Sequence, residues 1–201
     1  MQFTKTLTPA NASLTGFASN VTGASFTLTA SNSGDSLAHR VSIRNDSVTD
    51  HSGKTVTLVG TSADGAALTE VVTAPGTSAT VESTSYFMTL TSATPSATIG
   101  ADTFDIGWVD EFVTKTIPLD WRGGPGALRI TVGGTINYDL ENTLSDIQFE
   151  TINWFVDDAA QDDETASLTA RWEVTSKAIR VKANSYSSGA TLTLEYVQSN
   201  V

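Results

Sequence analysis

The sequence predicts an all-β protein, with an amino-terminal β-sandwich followed by a carboxy-terminal jelly-roll-like β-sandwich. Three observations lead there. Apolar side chains recur at every second position from Thr55 to Val72, from Leu128 to Leu140 and from Ile179 to Val197, the period of a strand buried on one face. Clusters of Ser, Asn, Asp and Gly punctuate these runs, as turns require. Hydrophobic residues make up only 39% of the 201-residue chain, so few strands can be buried on both faces, and thin two-layer folds accommodate that shortage.

Taken in order, Ala24, Phe26, Leu28 and Ala30 alternate as a strand would, and Ser31 to Ser36 breaks the run. Val41 and Ile43 begin the next. Thr55–Val59 and Leu68–Val72 flank Asp64-Gly65, a strong hairpin signal. A two-residue loop there sets Leu58 opposite Val71, and a longer loop stays open. Tyr86, Met88 and Leu90 form another alternating run, ended by Thr94-Pro95-Ser96, where Pro95 marks an edge or a turn. Phe104, Ile106 and Trp108 close the first half. The domain boundary falls between Gly107 and Pro118, giving domains of 1–108 and 109–201.

In the second half Leu128, Ile130, Val132, Ile136, Tyr138 and Leu140 all sit at even positions across Gly133-Gly134. A tight hairpin there would turn the second set to the opposite face, so one long strand bent at Gly134 is the better reading. Ile179, Val181 and Ala183 are odd, whereas Leu192, Leu194 and Tyr196 are even. This parity change predicts a hairpin at Ser188-Gly189 that pairs Ala183 with Leu194 and Val181 with Tyr196. Between Phe149 and Thr165 the alternation stops, and the clustered carboxylates from Asp157 to Glu164 read as a solvated loop, with a helical turn left open.

Eleven basic against 22 acidic side chains give a net charge of −11, which opposes nucleic acid and anionic membranes as partners. No apolar run approaches a membrane span, and Met1 to Leu7 lacks the apolar core of a secretory signal. The absence of cysteine excludes disulfides and fits a chain made in a reducing cytosol. Oligomerisation is then the expected source of added stability.

Signatures of chemistry are sparse. His39 precedes Arg40 and His51 follows Asp50, but no nucleophile elbow, zinc helix motif, phosphate loop or dinucleotide fingerprint accompanies them, and turn or surface histidines are the simpler expectation. The acidic loop, Asp157 to Glu164, is the only plausible site for a cation such as calcium, but it lacks EF-hand spacing and the glycine of the sharp turn, and a solvated face is the simpler expectation. Trp108, Trp121, Trp154 and Trp172 could stack on carbohydrate, though packing is the commoner use of tryptophan. Sequons at Asn11, Asn20 and Asn45 are expected by chance in so Ser- and Thr-rich a chain. No catalytic residue, cofactor or metal ligand is assigned.

Asp64 to Glu70 leading into Ser83 to Ser92 resembles a segment common in structural proteins of tailed bacteriophages. Pro118-Leu119-Asp120-Trp121-Arg122, then Gly134 to Thr143, resembles the start of their carboxy-terminal module, and Ala178 to Val181 with Ser188 to Leu194 resembles its closing hairpin. The resemblance implies a non-enzymatic virion component assembled in the host cytoplasm, either a capsid decoration or cement protein or a neck or tail part. Its partners would be the major capsid protein or other virion subunits and further copies of itself. It casts Asp120 and Arg122 as turn-fixing groups, Trp121 as a packing anchor and Gly189 as the hairpin turn. Trp121, Trp154 and Phe155 are the expected interface residues.

Overall fold

A computed structural model describes residues 2–119, 126–148, 150, 152–156, 162–172 (backbone alone for 170–172) and 176–198. The protein is all-β, and among the described residues no helix is long and apolar enough to cross a membrane. The chain divides into two compact units, Ala10–Phe112 and Met1–Pro9 with Val113–Val201. The sequence division at 108/109 leaves the first residues with the amino-terminal half. The first strand instead pairs with the last, a long-range choice that no local pattern encodes.

In the unit Ala10–Phe112 the strands are β2 (Ser13–Val21), β3 (Ala38–Asn45), β4 (Thr55–Thr61), β5 (Ala67–Thr73), β6 (Thr80–Phe87), β7 (Thr89–Pro95) and all but the last residue of β8 (Phe104–Val113). One sheet runs β8-β3-β6 with β2 also on β8, and the other runs β5-β4-β7. Phe17, Ile43, Leu58, Phe87, Leu90, Phe104 and Ile106 are buried in one core between them. Two strand expectations are corrected here. Ala24 to Ala30 is not a strand, because Thr29 and Ala30 both donate to the Phe17 carbonyl and fold this loop over the core, where Phe26 is buried. The run at Tyr86, Met88 and Leu90 is split at Met88 between β6 and β7, so that Phe87 and Leu90 are the buried residues. Pro95 ends β7, an edge strand, as its missing N–H demands.

The β4–β5 hairpin has the longer loop. Leu58 lies opposite Glu70 and Thr57 opposite Val71, with Ser62 donating to Ala66 around Asp64-Gly65, where Gly65 takes φ +83°. The added loop residue turns Leu68, Glu70 and Val72 inward and leaves Thr69 and Val71 outward. Glu70 thus ends up beside β6, where its carboxylate accepts from the Thr84 and Ser85 N–H groups at 2.7 and 2.8 Å. Burial alone would raise its pKa, but these bonds outweigh that and lower it. Glu70→Ala removes the acceptor of both, and because these N–H groups are exposed or only part-buried it is expected to cost about 1 kcal/mol, read as a lower urea midpoint, with Glu70→Gln costing less.

The other unit contains β1 (Gln2–Leu7), β9 (Ile117–Pro118), β10 (Gly126–Gly133), β11 (Ile136–Thr143), β12 (Leu168–Trp172), β13 (Ala178–Tyr186) and β14 (Thr191–Gln198). One sheet has the order β1-β14-β10-β12, while β13 lies between β11 and β9 in the second. The bend at Gly134 is present: φ is +79° there, β10 and β11 belong to different sheets, and Leu128, Ile130, Ile136, Tyr138 and Leu140 are all buried. The expected hairpin at Ser188-Gly189 is corrected. Ala183 pairs with Tyr138 and Val181 with Leu140, while Leu194 pairs with Ile130 and Tyr196 with Leu128. Gly189 keeps a turn role at φ +77°, but the turn joins two sheets. β10–β11 and β13–β14 therefore form one long antiparallel ribbon folded over on itself, pinned at the fold by Ser187 N donating to Thr135 O at 2.9 Å. The parity change has another source, a bulge at Asn184 between the Tyr138–Ala183 and Asn137–Ser185 pairs. On β1, an edge strand, Lys5 lies opposite the buried Leu194 yet stays exposed, and a charged lysine on an edge discourages addition of a further strand.

Candidate interaction surface

The outward face of the β5-β4-β7 sheet is built from one residue class. β4 presents Thr55, Thr57, Val59 and Thr61, and β5 presents Ala67, Thr69, Val71 and Thr73. β7 adds Thr89, Ser92 and Thr94, shifted by a bulge between the Val59–Ser92 and Gly60–Leu90 pairs that sets Thr91 apart. No charged or long side chain stands among them, in a chain of net charge −11. Val71 is 60% exposed and Val59 36%. Hydroxyl groups are partly satisfied within the sheet: the Thr61 and Thr89 hydroxyls pair at 2.7 Å, and Thr91 donates to the Val59 carbonyl at 2.9 Å. Such a surface loses little when covered, because β-branched side chains have few rotamers to surrender and paired hydroxyls are already partly withdrawn from water. The sequence signal for it was the absence of charge at odd positions of 55–61 and 67–73. It becomes a face only once the loop length sends Glu70 to the other side.

Both histidines are buried, at 1% and 3% exposure, which corrects the turn or surface expectation. His39 Nδ1 faces the Glu111 carbonyl at 2.9 Å and Nε2 the Asp35 carboxylate at 2.8 Å. Asp35 also accepts from Ala10 N, Leu37 N and the Ser33 hydroxyl. Burial would raise its pKa, yet the bonds from His39, Ala10 and Ser33 prevail and lower it to about 2. His51 Nε2 donates to Asp102 at 2.9 Å, and its Nδ1 accepts from Lys54, whose ammonium also donates to Thr98 O. Asp102, not the neighbouring Asp50, is thus the partner of His51, and a lysine occupies the place a serine nucleophile would need. His39, on β3, ties that strand to the loop at Asp35, whereas His51 ties its own loop to the one that holds Thr98 and Asp102.

Asp46 lies beside Asp105, and the neighbouring carboxyl raises its pKa. Asp105 is buried and accepts from Asn20 N, and Asp46 also pairs with Arg44. Among the described residues no group of three His, Cys, Asp or Glu side chains gathers to hold a metal ion. Asp157 to Gln161 of the acidic loop lie outside the described residues. Its far end is anchored, with Glu164 bridging Tyr138 on β11 and Asp163 N donating to Asp139. Burial of Asp139 is offset by bonds from Asp163 N, Lys182 and Asn184, so its pKa is lowered.

Of the expected interface residues, Trp121 lies outside the described residues, as do Asp120 and Arg122. Trp154 is half-buried beneath Arg180, whose guanidinium carbon sits 4.3 Å from the ring centroid. Phe155 exchanges backbone hydrogen bonds with Asn142 on β11 and leaves its ring 37% exposed. Trp108 is in the core, its indole N–H donating to Asn11 O, and so offers no sugar platform. For Trp172 only the backbone is described.

No family model matches the chain, and no curated protein matches it. Among solved structures, the major capsid protein P2 from bacteriophage PM2 aligns over 99% of this chain and 98% of its own, at 12% identity and a TM-score of 0.24. A score that low does not establish a common fold.

Proposed function

We propose that this chain is a non-enzymatic structural protein of a phage virion, acting as a decoration or cement protein that stabilises the capsid shell by bridging capsomers. The observation that supports a contact role is the uncharged threonine and valine face of the β5-β4-β7 sheet on a strongly acidic chain. The resemblance of Asp64 to Glu70, Ser83 to Ser92 and Gly134 to Thr143 to segments of phage structural proteins is what suggests the setting on a virion. Adhesion needs many weak contacts repeated by symmetry. Phe155 offers a second exposed contact in the other unit. Phe155→Ala removes a half-exposed ring without touching a core, and is expected to weaken attachment to particles while leaving the urea midpoint in place. Trp154→Ala is less clean because it also strips Arg180 of its ring.

Quantitative mass spectrometry of purified particles tests the assignment. A shell protein should be present in on the order of hundreds of copies, and a neck or tail part in about a dozen or fewer, as their symmetries dictate. Absence from the particle would end the virion reading.

A further inference from the structure

We propose that the free edge of β5 receives an extended segment of a different polypeptide as an added strand, with a lysine or arginine of that segment set against Glu70. The phase of the ladder fixes which groups are on offer. Ser62 N donates to Ala66 O and Ala74 N to Lys54 O, so Gly60–Leu68, Leu58–Glu70 and Val56–Val72 are the β4–β5 pairs that exchange hydrogen bonds. The N–H and C=O groups of Thr69, Val71 and Thr73 therefore point away from β4, and they have no backbone partner among the described residues. All three residues are exposed. A donor and an acceptor at every second residue along an edge form the pattern that another strand's backbone completes. Four other edge strands are blunted against such an addition. β1 carries Lys5, β6 gives the Thr84 and Ser85 N–H groups to the Glu70 carboxylate, β7 gives the Leu90 N–H to Ser31 O and ends in Pro95, and β11 is bridged by Phe155 and Glu164. β5 has no lysine, arginine or proline, and its register with β4 runs unbroken through seven pairs.

The side chains of β5 state what the added strand must be. Glu70 would face it in a pair without mutual hydrogen bonds, the kind that brings side chains closest. Its carboxylate accepts from Thr84 N, the Thr84 hydroxyl and Ser85 N, all neutral donors, and no cation contributes to its lowered pKa. Three bonds leave room for one more, since a carboxylate offers about four acceptor positions, and a basic side chain there adds the missing counter-charge. Opposite Leu68 and Val72 the strand needs apolar side chains, and beside Thr69, Val71 and Thr73 small or β-branched ones. A second copy is a poor donor, because two β5 edges laid together antiparallel bring Glu70 toward Glu70 in chains of net charge −11. A basic segment is drawn to the edge by that same charge. Such a segment on a shell subunit would give the contact role proposed above its form, and the claim rests on that reading only for the source of the segment.

The probe is a fluorescent peptide of sequence Thr-Val-Thr-Lys-Thr-Val-Thr, its lysine placed to meet Glu70, titrated by anisotropy against the full chain. Binding should saturate at or below millimolar peptide and weaken with salt. Affinity should fall about tenfold when the peptide's lysine is replaced by glutamate, and again in the Glu70→Gln chain, the scale of one hydrogen bond to a charged group. Val71→Pro removes an N–H that β4 does not use, and proline is tolerated on an edge, so this variant should keep the urea midpoint near wild type and bind at least about tenfold more weakly. The same peptide with proline at its third residue should fail on the wild-type chain, which keeps the test independent of how Val71→Pro folds. Hydrogen exchange should show the Thr69, Val71 and Thr73 amides slowed by the lysine peptide. No saturable binding, equal affinity for the lysine and glutamate peptides, or slowed amides elsewhere with β5 unchanged would overturn the proposal. If the peptide binds as described but the chain is absent from particles, the virion reading fails and the edge assignment stands. If the chain is present in particles and no peptide binds, the edge assignment fails and the virion reading stands.

Discussion

Asp35→Ala is expected to destabilise the Ala10–Phe112 unit by about 3 kcal/mol or more, because several donors lose their shared acceptor and each buried unsatisfied donor costs about 1–3 kcal/mol. The carboxylate is 5% exposed and collects Ala10 N at 2.7 Å, Leu37 N at 3.0 Å, the Ser33 hydroxyl at 2.6 Å and His39 Nε2 at 2.8 Å. Without it, His39 keeps a donor with no acceptor, in a pocket walled by Trp108 and Phe112. Asp35→Asn should be nearly as damaging if its amide N–H₂ turns toward the imidazole donor. Acid gives an independent check. The folded-state pKa is about 2 against an ordinary 3.8, so the stabilisation is present above the unfolded value and is lost as pH falls through the folded one. Wild-type stability should therefore drop by about 2 kcal/mol from this group between pH 4 and pH 2. Urea titrations should show that drop reduced by a similar amount in Asp35→Ala; a variant with the wild-type midpoint and the wild-type acid slope would refute the account.

The strands that could be read in the sequence were those whose apolar period is uninterrupted. β4, β5, β10, β11 and β14 alternate cleanly, and even parity across Gly134 was enough to choose a folded strand over a hairpin. The same parity argument misled at Gly189 because one extra residue, Asn184, had already reversed the faces of β13; a bulge and a turn leave the same trace in a sequence. β1 carries only Phe3 and Leu7 on its apolar side, and its pairing with β14 spans nearly the whole chain, so nothing local announced it. Alternation at Phe26 and Leu28 came from a loop folded onto the core, which borrows the strand period without the strand. The histidines were invisible as buried groups for a related reason. Asp102 stands 51 residues from its partner, and burial of a polar ring is decided by such distant acceptors. The candidate face was half legible, since the run of Thr and Val was plain but its outward direction depended on a loop one residue longer than the shortest option.

Gly60→Ala is expected to cost the same unit about 3 kcal/mol, near the upper end for an overpacked site. A Cβ at Gly60 would lie 1.9 Å from the Thr89 carbonyl oxygen and 2.9 Å from its carbon, so it meets backbone that no side-chain rotation can move aside. Gly60 is where the β4–β7 register jumps from the Val59–Ser92 pair to the Gly60–Leu90 pair around Thr91, and that bulge draws β7 in over the glycine. A methyl group there must push β7 away. That would expose Leu90 and part the Thr61–Thr89 hydroxyl pair at the edge of the outward face. Two other glycines separate this clash from general loss of flexibility. Gly53 has open space around its would-be Cβ and an ordinary φ, so Gly53→Ala should be neutral or slightly stabilising through the unfolded chain. Gly65 also has space but holds φ +83°, so Gly65→Ala should pay only the left-handed penalty of about 1–2 kcal/mol. Urea midpoints in the order Gly53→Ala, Gly65→Ala, Gly60→Ala from highest to lowest would locate the cost in the backbone contact. A Gly60→Ala midpoint at or above that of Gly65→Ala would show that β7 can shift without strain, and that the register of the outward face is not fixed by this glycine.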